Sequence, residues 1–176
     1  MSYVLKARWK AAARWVAALA LATGAAAHAQ PGPVSWAAQV QYVVDGDSLW
    51  VRPLDGGRRV KLRLRGMDAP ELCQPGGLQA QAALRALAQG QAVQVKVLAR
   101  DRWGRAIAQV HRHSDGLDMA AHLVAQGWAV SEGQGGRRGV YWREQQQAQA
   151  GKRGMFADGG TPESPAAFRR RHGPCR

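Results

Sequence analysis

Residues 39–67 read QVQYVVDGDSLWVRPLDGGRRVKLRLRGM, and this stretch decides the fold class. Apolar and polar residues alternate along it in three runs, and alternation with a period of two is typical of half-buried strands. Two turn-forming sequences, Asp45-Gly46-Asp47 and Asp55-Gly56-Gly57, separate the runs. We therefore predict three consecutive antiparallel strands, at residues 39–44, 48–52 and 59–67.

The rest of the chain adds helices and two further strands. We predict helices at residues 79–88, 118–126 and 141–150, and strands at 93–97 and 105–111. The stretch from Gly159 is rich in Pro and Arg, and we expect it to be irregular. Short antiparallel strands with one helix between the third and fourth strands fit an α+β chain: a closed five-stranded barrel of the OB type with three helices. A generic α+β sandwich fits the same pattern.

The first 29 residues have the layout of an export signal. Four basic residues and no acidic one accompany an apolar run at residues 15–27, and Ala27-His28-Ala29 is a small-x-small cleavage pattern. The apolar run is too short to span a membrane. We predict a signal peptide at residues 1–29 and an exported product, periplasmic or secreted, without stable membrane association after cleavage. An uncleaved amphipathic anchor is the alternative.

The chain is strongly basic, with 25 Lys and Arg against 12 Asp and Glu and a formal net charge of +13. Removing the predicted leader takes away four basic residues, so 147 residues with a net charge of +9 would remain. That length suits one domain. Such a domain attracts polyanions, of which nucleic acid is the commonest, although membranes and acidic glycans also attract basic proteins.

The chain has two cysteines, Cys73 and Cys175. In an oxidising compartment such a pair tends to form a disulfide, which would tie the C-terminus to residue 73. Two free thiols are the alternative. The sequence lacks a CxxC spacing, so a zinc site is disfavoured.

Four acidic residues occupy turns or strand ends: Asp45, Asp47, Asp68 and Glu71. Oxygen ligands without His or Cys suit a hard cation such as Ca²⁺, although the EF-hand loop pattern is missing. Arg63 lies on the polar face of the third strand, and Arg105 opens the fifth. Guanidinium groups neutralise phosphoryl oxygens, a metal ion orients water, and a carboxylate such as Glu71 accepts the proton of that water. Together these groups suit the hydrolysis of a phosphodiester.

Three ordered segments resemble the signature segments of the staphylococcal nuclease (thermonuclease) family: Val44–Ser48, Arg63–Glu71 and Asp101–Arg105. Leu123–Ala129 is similar to the exit of that family's second helix. The similarity covers about residues 37–158, which implies a nuclease domain at 37–158. A short lead-in at 30–36 would precede it, and a Pro/Arg-rich tail at 159–176, which a Cys73–Cys175 bridge would tether, would follow it.

The resemblance also implies residue roles. The implied calcium ligands are the carboxylates of Asp47 and Asp68 and the backbone carbonyl of Ala69. The implied catalytic residues are Glu71, as general base, and Arg63 and Arg105, which would bind and neutralise the reacting phosphate. Arg102 and Trp103 would contact the nucleotide. The family hydrolyses DNA and RNA and leaves 3′-phosphate ends.

The chain departs from the family pattern at several positions. Ala69 and Ser48 stand where Thr is common, and Ala120 stands where an Asn often supports the fold. The tyrosines that line the nucleotide pocket in the best-known member of the family have no match, because the corresponding loop here, residues 132–138, contains none. The arginines of that loop could hold phosphate instead, so the preferred substrate stays open.

We therefore predict an exported, monomeric, Ca²⁺-dependent nuclease that acts on DNA, RNA or both. A non-catalytic nucleic-acid-binding module is a second interpretation, and an exported protein-interaction domain is a third. His111 and His113 alternate on a strand, but a third ligand is missing nearby in sequence, so we interpret them as structural.

Overall fold

The alternating runs that open the domain form neighbouring strands of a barrel in the computed structural model. The structure describes residues 35–133, 135–173 and 175, so the predicted signal peptide and the first residues of the lead-in lie outside the described residues. The strands are β1 (Ser35–Val43), β2 (Ser48–Pro53), β3 (Val60–Leu64), β4 (Met67–Asp68), β5 (Ala92–Arg100), β6 (Ala106–Arg112) and β7 (Val130–Ser131). The helices are α1 (Gly77–Ala88), α2 (Met119–Ala125), α3 (Trp142–Ala150) and α4 (Pro165–His172), with a 3₁₀ turn at Gly154–Phe156.

Five of the strands close into a barrel in the order β1-β2-β3-β6-β5. Neighbouring strands are antiparallel except β3 and β6, which pair in parallel, with Leu62 opposite Ala106. The helix α1 lies between β3 and β5 in sequence, as the OB-type barrel requires. The predicted α+β class and five-stranded barrel are confirmed.

The barrel core consists of the apolar residues that alternate along the strands. Val40, Val51, Leu62, Val95 and Val110 are almost fully buried. The helices α1 and α2 add Leu84 and Leu123 to the same core cluster. Because one face of each strand points inward, the polar face of β3, with Arg63, is left free to form a site at the surface.

Two parts of the fold differ from the sequence-based expectation. The predicted third strand ends at Leu64, because Gly66 turns the chain with φ of 79°. The short strand β4 then pairs with β7 instead of the barrel, with Asp68 opposite Val130. This change of partner directs Asp68 away from the ladder of β3.

The C-terminal tail is the second difference, because residues 165–172 form α4 instead of an irregular stretch. The side chain of Ser164 accepts a hydrogen bond from the amide of Ala167, and Pro165 occupies the first helical position. Pro165 and Phe168 are buried against the domain. The tail is therefore a docked element of the fold.

Among the described residues, every helix is too short or too polar to cross a bilayer.

Candidate active site

The predicted site residues lie on turns and strand ends at one edge of the barrel. Asp47 closes the turn between β1 and β2, and Arg63 lies in β3 directly opposite Ser48. Asp68 ends β4, and Glu71 lies in the loop that leads to α1. The segment before β6 contributes Arg105.

The turn between β1 and β2 is fixed by hydrogen bonds and by close packing. The amide of Asp47 donates to Oδ1 of Asp45 over 3.0 Å, and the carbonyl of Asp47 accepts from the amide of Leu64 over 2.8 Å. A Cβ atom on Gly46 would lie 2.6 Å from the Cβ atom of Ala69 and 2.9 Å from that of Ala80. Only glycine allows the turn to pack this closely on the segment that follows Asp68.

The loop that carries Glu71 is held in a similar way. Its amide donates to Oε1 of Gln74 over 3.2 Å, and its carbonyl accepts from the amide of Gln74 over 2.8 Å. A Cβ atom on Gly77 would lie 1.9 Å from the carbonyl oxygen of Glu71, so the loop rests directly on the first residue of α1. The side chain of Glu71 stays 28% exposed and can reach solvent water.

Arg63 links the two buried aspartates. Its Nη1 donates to Oδ2 of Asp47, and its Nη2 donates to Oδ1 of Asp68 over 2.8 Å. Asp47 and Asp68 are only 5% and 4% exposed. The guanidinium is therefore fixed in place by two carboxylates that are largely shielded from water.

Burial perturbs the protonation of this cluster. Loss of water around Asp47 raises its pKa to about 7, although Arg63 opposes the shift. Burial opposes the charge on Arg63, but Asp47 and Asp68 raise the pKa of its guanidinium, which therefore stays charged. The charge of Asp47 is thus only partly compensated by its protein partners, and a further cation nearby would favour the ionised form.

Arg105 joins the cluster through Ser48. Its Nη1 donates to Oγ of Ser48 over 3.2 Å, and Oγ of Ser48 donates to Oδ1 of Asp47 over 2.6 Å. Asp101 positions Arg105, because its Oδ2 accepts from Nε over 2.6 Å and its Oδ1 accepts from the amide over 2.9 Å. Burial opposes ionisation of Asp101, but the hydrogen bonds from Arg105 and Trp103 lower its pKa.

An arginine from the C-terminal helix completes the cluster. Arg169 donates from Nη2 to Oδ2 of Asp68 over 2.9 Å, and from Nη1 to Oδ1 of Asp68 over 3.0 Å and Oε1 of Glu71 over 2.8 Å. The hydrogen bonds to Asp68, and then the single one to Glu71, raise the pKa of Arg169, although its partial burial opposes the charge. One hydrogen-bonded network therefore runs through the residues Arg105, Ser48, Asp47, Arg63, Asp68, Arg169 and Glu71.

The two predicted nucleotide contacts lie beside Arg105. Trp103 is 67% exposed, the guanidinium carbon of Arg102 lies 4.2 Å from the centre of its ring, and that of Arg105 lies 5.4 Å away. An adjoining groove of about 380 Å³ extends from them across the barrel. Its lining includes Trp50, Arg59, Lys61, Arg100, Trp103 and Arg105.

The donor chemistry of the cluster fits a hard cation. Asp47 and Asp68 have carboxylate oxygens, and the buried Ala69, which follows Asp68 directly, adds a backbone carbonyl oxygen. Within residues 35–133, 135–173 and 175, three or more His, Cys, Asp or Glu side chains do not come together in a metal-binding arrangement. Any remaining ligands would therefore be backbone oxygens and water.

His111, which the sequence analysis interprets as structural, lies with Nε2 3.9 Å from Oδ2 of Asp118.

Cys73 and Cys175 form a disulfide, with Cα atoms 5.7 Å apart. The bridge lies two residues after Glu71, so it ties the tail to the edge of the site.

Sequence reasoning missed several site residues. Trp50, Arg59 and Lys61 have no role in the sequence-based prediction, yet all three line the groove beside Arg105. Arg169 lies in the Pro/Arg-rich stretch that the sequence predicts to be irregular, and no role is predicted for it. The predicted disulfide could have indicated its position. Cys73 lies two residues after Glu71 and Cys175 six residues after Arg169, so the bridge brings the tail close to Glu71.

Comparisons with known proteins agree with this geometry. The family model described as "Staphylococcal nuclease homologue" matches residues 61–158. An "Uncharacterized endonuclease" of Escherichia coli is 33% identical over 133 residues, which cover 76% of this chain and 84% of that protein. An "Uncharacterized endonuclease" of Haemophilus influenzae is 30% identical over 132 residues, 75% of this chain and 72% of that protein.

A plant relative is longer. The "Probable staphylococcal-like nuclease CAN1" of Oryza sativa subsp. japonica is 32% identical over 113 residues, 64% of this chain. The matched region spans about a third (33%) of the length of that relative. The family model covers more than half of the chain and includes Arg63, Asp68, Glu71 and Arg105. The chain therefore belongs to the staphylococcal nuclease family.

Proposed function

We propose that this protein is a Ca²⁺-dependent nuclease that hydrolyses phosphodiester bonds in DNA, RNA or both. The observation that carries the proposal is the hydrogen-bonded network that links Arg63 and Arg105 through Asp47 and Ser48, with Arg63 also bound to Asp68. Glu71 lies three residues after Asp68 at the same edge of the barrel. Phosphodiester hydrolysis needs cations for the phosphoryl oxygens and a base for the attacking water, and this edge of the barrel supplies both.

Arg63 and Arg105 would bind the phosphate. Both guanidinium groups are charged, are held by carboxylates, and have donors left over for two phosphoryl oxygens. A held guanidinium does not have to reorganise as negative charge builds on the phosphoryl group. Each residue would therefore stabilise the transition state more than the ground state, which is the condition for a higher rate.

Asp47, Asp68 and the backbone carbonyl of Ala69 would hold the cation. When bound, Ca²⁺ would supply positive charge beside the phosphate and orient the attacking water. Binding would also compensate the buried carboxylate of Asp47, whose pKa of about 7 reflects incomplete compensation.

Glu71 would accept the proton of the attacking water. Its side chain is partly exposed, so water can reach it, and its backbone is fixed by Gln74 and by contact with Gly77. By analogy with the family, attack would break the bond between phosphorus and the 5′ oxygen and leave a 3′-phosphate.

The groove beside Arg105 would hold the neighbouring nucleotides. Trp50 and Trp103 offer ring faces for base stacking, and Arg59 and Lys61 offer charges for the backbone. Because stacking does not read base identity, we propose weak sequence preference. The family's nucleotide-pocket tyrosines are missing from this chain, and this groove would take over part of their role.

We also propose that the protein is exported, to the periplasm or the medium, and acts as a monomer. The order of basic, apolar and small residues in the first 29 positions supports export, and a disulfide is expected in an oxidising compartment.

The direct test is cleavage of single-stranded DNA by the purified protein with Ca²⁺ and with excess chelator. We expect digestion only with Ca²⁺. Glu71→Gln should reduce the rate by about 100-fold or more, because general-base catalysis contributes at least that factor. Glu144→Gln on α3 is the matched control and should cleave at the wild-type rate. Binding of DNA without cleavage under both conditions would favour a non-catalytic binding module.

A further inference from the structure

The contact between α4 and the acidic residues has no role in the proposed hydrolysis. For that reaction, Asp68 must be free to bind the cation, and Glu71 must be free to accept a proton from water. Arg169 instead donates to both oxygens of Asp68 and to one oxygen of Glu71, over 2.8–3.0 Å. Of the three acidic residues with proposed roles, Asp47, Asp68 and Glu71, the last two are thus bound to the protein's own tail.

A guanidinium in this position competes with a divalent cation. It uses the oxygen lone pairs that the cation would need, and its charge repels a second cation at the same place. It also occupies Oε1 of Glu71, an oxygen that would otherwise be available to the attacking water. The side chain of Arg169 is 37% exposed, so the pairing is open to exchange with solvent and is reversible.

Several contacts hold α4 in place from both ends. Before the helix, the carbonyl of Glu163 accepts from Nε2 of Gln74 over 2.8 Å. Within it, Phe168 is buried and stacks on His172, with ring centres 4.5 Å apart. After it, the disulfide joins Cys175 to Cys73, and Sγ of Cys175 accepts from the amide of Cys73 over 3.0 Å.

The disulfide makes the competition intramolecular. Cys73 is two residues from Glu71, and Cys175 is six residues from Arg169, so the bridge confines Arg169 to the neighbourhood of the acidic residues. A tethered ligand acts at an effective concentration that is typically in the millimolar range for short linkers. The tether therefore keeps Arg169 paired with Asp68 and Glu71 even if each contact is weak.

The segment that leads into α4 is less firmly packed. Residues 157–161 are exposed and pass beside a cavity of about 420 Å³, whose lining includes Gln74, Gly76, Met155 and Thr161. A segment with so few buried side chains can change its path at low cost, which leaves α4 free to shift at its start.

We propose that Arg169 is an intramolecular ligand of the acidic site and that α4, held by the Cys73–Cys175 disulfide, is an autoinhibitory strap. The proposal rests on the proposed function, since it concerns the same Asp68 and Glu71. Ca²⁺ displaces Arg169 from these residues, and reduction of the disulfide makes the displacement easier. In that reduction a dithiol reductant gives two electrons and two protons, the S–S bond breaks, Cys73 and Cys175 become thiols, and the reductant becomes a disulfide.

The test compares Arg169→Ala with Arg170→Ala in the full chain. Arg170 is an exposed arginine of the same helix, so the control removes the same charge. Isothermal calorimetry with Ca²⁺ is the first readout. We expect Arg169→Ala to tighten Ca²⁺ binding by about five- to 150-fold, the range typical of coupled sites, and Arg170→Ala to leave it unchanged. Equal affinities in the two variants would overturn the proposal.

Hydrogen exchange and reduction give an independent readout that does not depend on a substitution in α4. Saturating Ca²⁺ should speed amide exchange across residues 165–172, and dithiothreitol should tighten Ca²⁺ binding of the wild-type chain but not of Arg169→Ala. Exchange in α4 that stays equally slow with and without Ca²⁺ would contradict displacement. Cys73→Ser should bind Ca²⁺ like the reduced wild type, which checks that the reductant acts through this bridge.

Cleavage of single-stranded DNA separates this proposal from the proposed function. With limiting Ca²⁺, Arg169→Ala should cleave faster than wild type. If Arg169→Ala binds Ca²⁺ more tightly and neither protein cleaves, the strap stands and the nuclease assignment fails. If both cleave and Arg169→Ala is slower, Arg169 assists the phosphate, and the strap is overturned.

Discussion

The close packing of Gly46 on Ala69 gives the sharpest prediction, because it joins the two halves of the proposed cation site. Asp47 follows Gly46 directly, and Ala69 follows Asp68. In Gly46→Ala the new methyl group would lie 2.6 Å from the Cβ atom of Ala69, whereas ordinary contact begins at 3.4 Å, so the two segments must separate by about 0.8 Å. The new methyl group would also lie 2.9 Å from the Cβ atom of Ala80 in α1, so this helix would have to shift as well.

We expect two measurable effects of this separation. Overpacking in a tight core costs about 1–3 kcal/mol, so thermal unfolding should show a Tm lower by several degrees. A misplacement of about 1 Å between reacting groups can reduce a rate by about 100-fold, so cleavage of single-stranded DNA at saturating Ca²⁺ should slow by that order. Ca²⁺ affinity, measured by calorimetry, should weaken as well.

Gly160→Ala is the matched control for this substitution. Gly160 lies in the exposed segment before α4, and a Cβ atom there would meet nothing within 4 Å. The control should keep the wild-type Tm and rate. If Gly46→Ala behaves like Gly160→Ala in both measurements, the reasoning that places the cation between the Asp47 turn and the Ala69 segment is wrong.

Three further predictions concern the cation, the groove and the disulfide. Because the pKa of Asp47 is raised to about 7, Ca²⁺ must displace a proton from Asp47 at lower pH, so the Ca²⁺ affinity should fall as the pH is lowered from 8 to 5.5. A Ca²⁺ affinity that calorimetry finds independent of pH would argue against Asp47 as a ligand. Trp50→Ala should weaken binding of single-stranded DNA by about 1–3 kcal/mol in fluorescence anisotropy if a base stacks there, and unchanged binding would remove Trp50 from the groove's function. Cys73→Ser removes the bridge between residues with a sequence separation of 102, and the chain-entropy model gives such a bridge a contribution of about 4.7 kcal/mol to the free energy of unfolding. Urea unfolding should therefore shift to a lower midpoint. An unchanged midpoint would mean that the bridge restrains only the tail.

Much of the barrel could be predicted from the sequence because its signals are local. Val60, Leu62 and Leu64 alternate with charged residues, and this alternation alone identifies a strand with one buried face. The turn at Asp45-Gly46-Asp47 separated two strands correctly for the same reason. Chemical reasoning indicated that Arg63, Glu71 and Arg105 suit phosphodiester hydrolysis as a set, whereas the assignment of each residue came from the resemblance, because a single charged residue has no local signature.

The tail shows where local reasoning fails. The run Arg169-Arg170-Arg171 has the composition of a solvated segment, and α4 is only eight residues long, so its stability depends on Phe168 and on the disulfide more than on propensity. Ser164-Pro165 was a readable helix start. The pairing of Arg169 with Glu71 spans 98 residues and became visible only when the barrel and the bridge were both in place.

The central claim is that Arg63 and Arg105 act on one phosphate, although 42 residues separate them in sequence. The most direct test measures single-turnover cleavage of single-stranded DNA by Arg63→Ala, by Arg105→Ala and by the double variant, with Ca²⁺ present. We predict that each single variant is slower by about 100-fold or more and that the double variant loses less than the product of the two factors, because groups that act as a unit are not additive. A wild-type rate in either single variant would contradict the account.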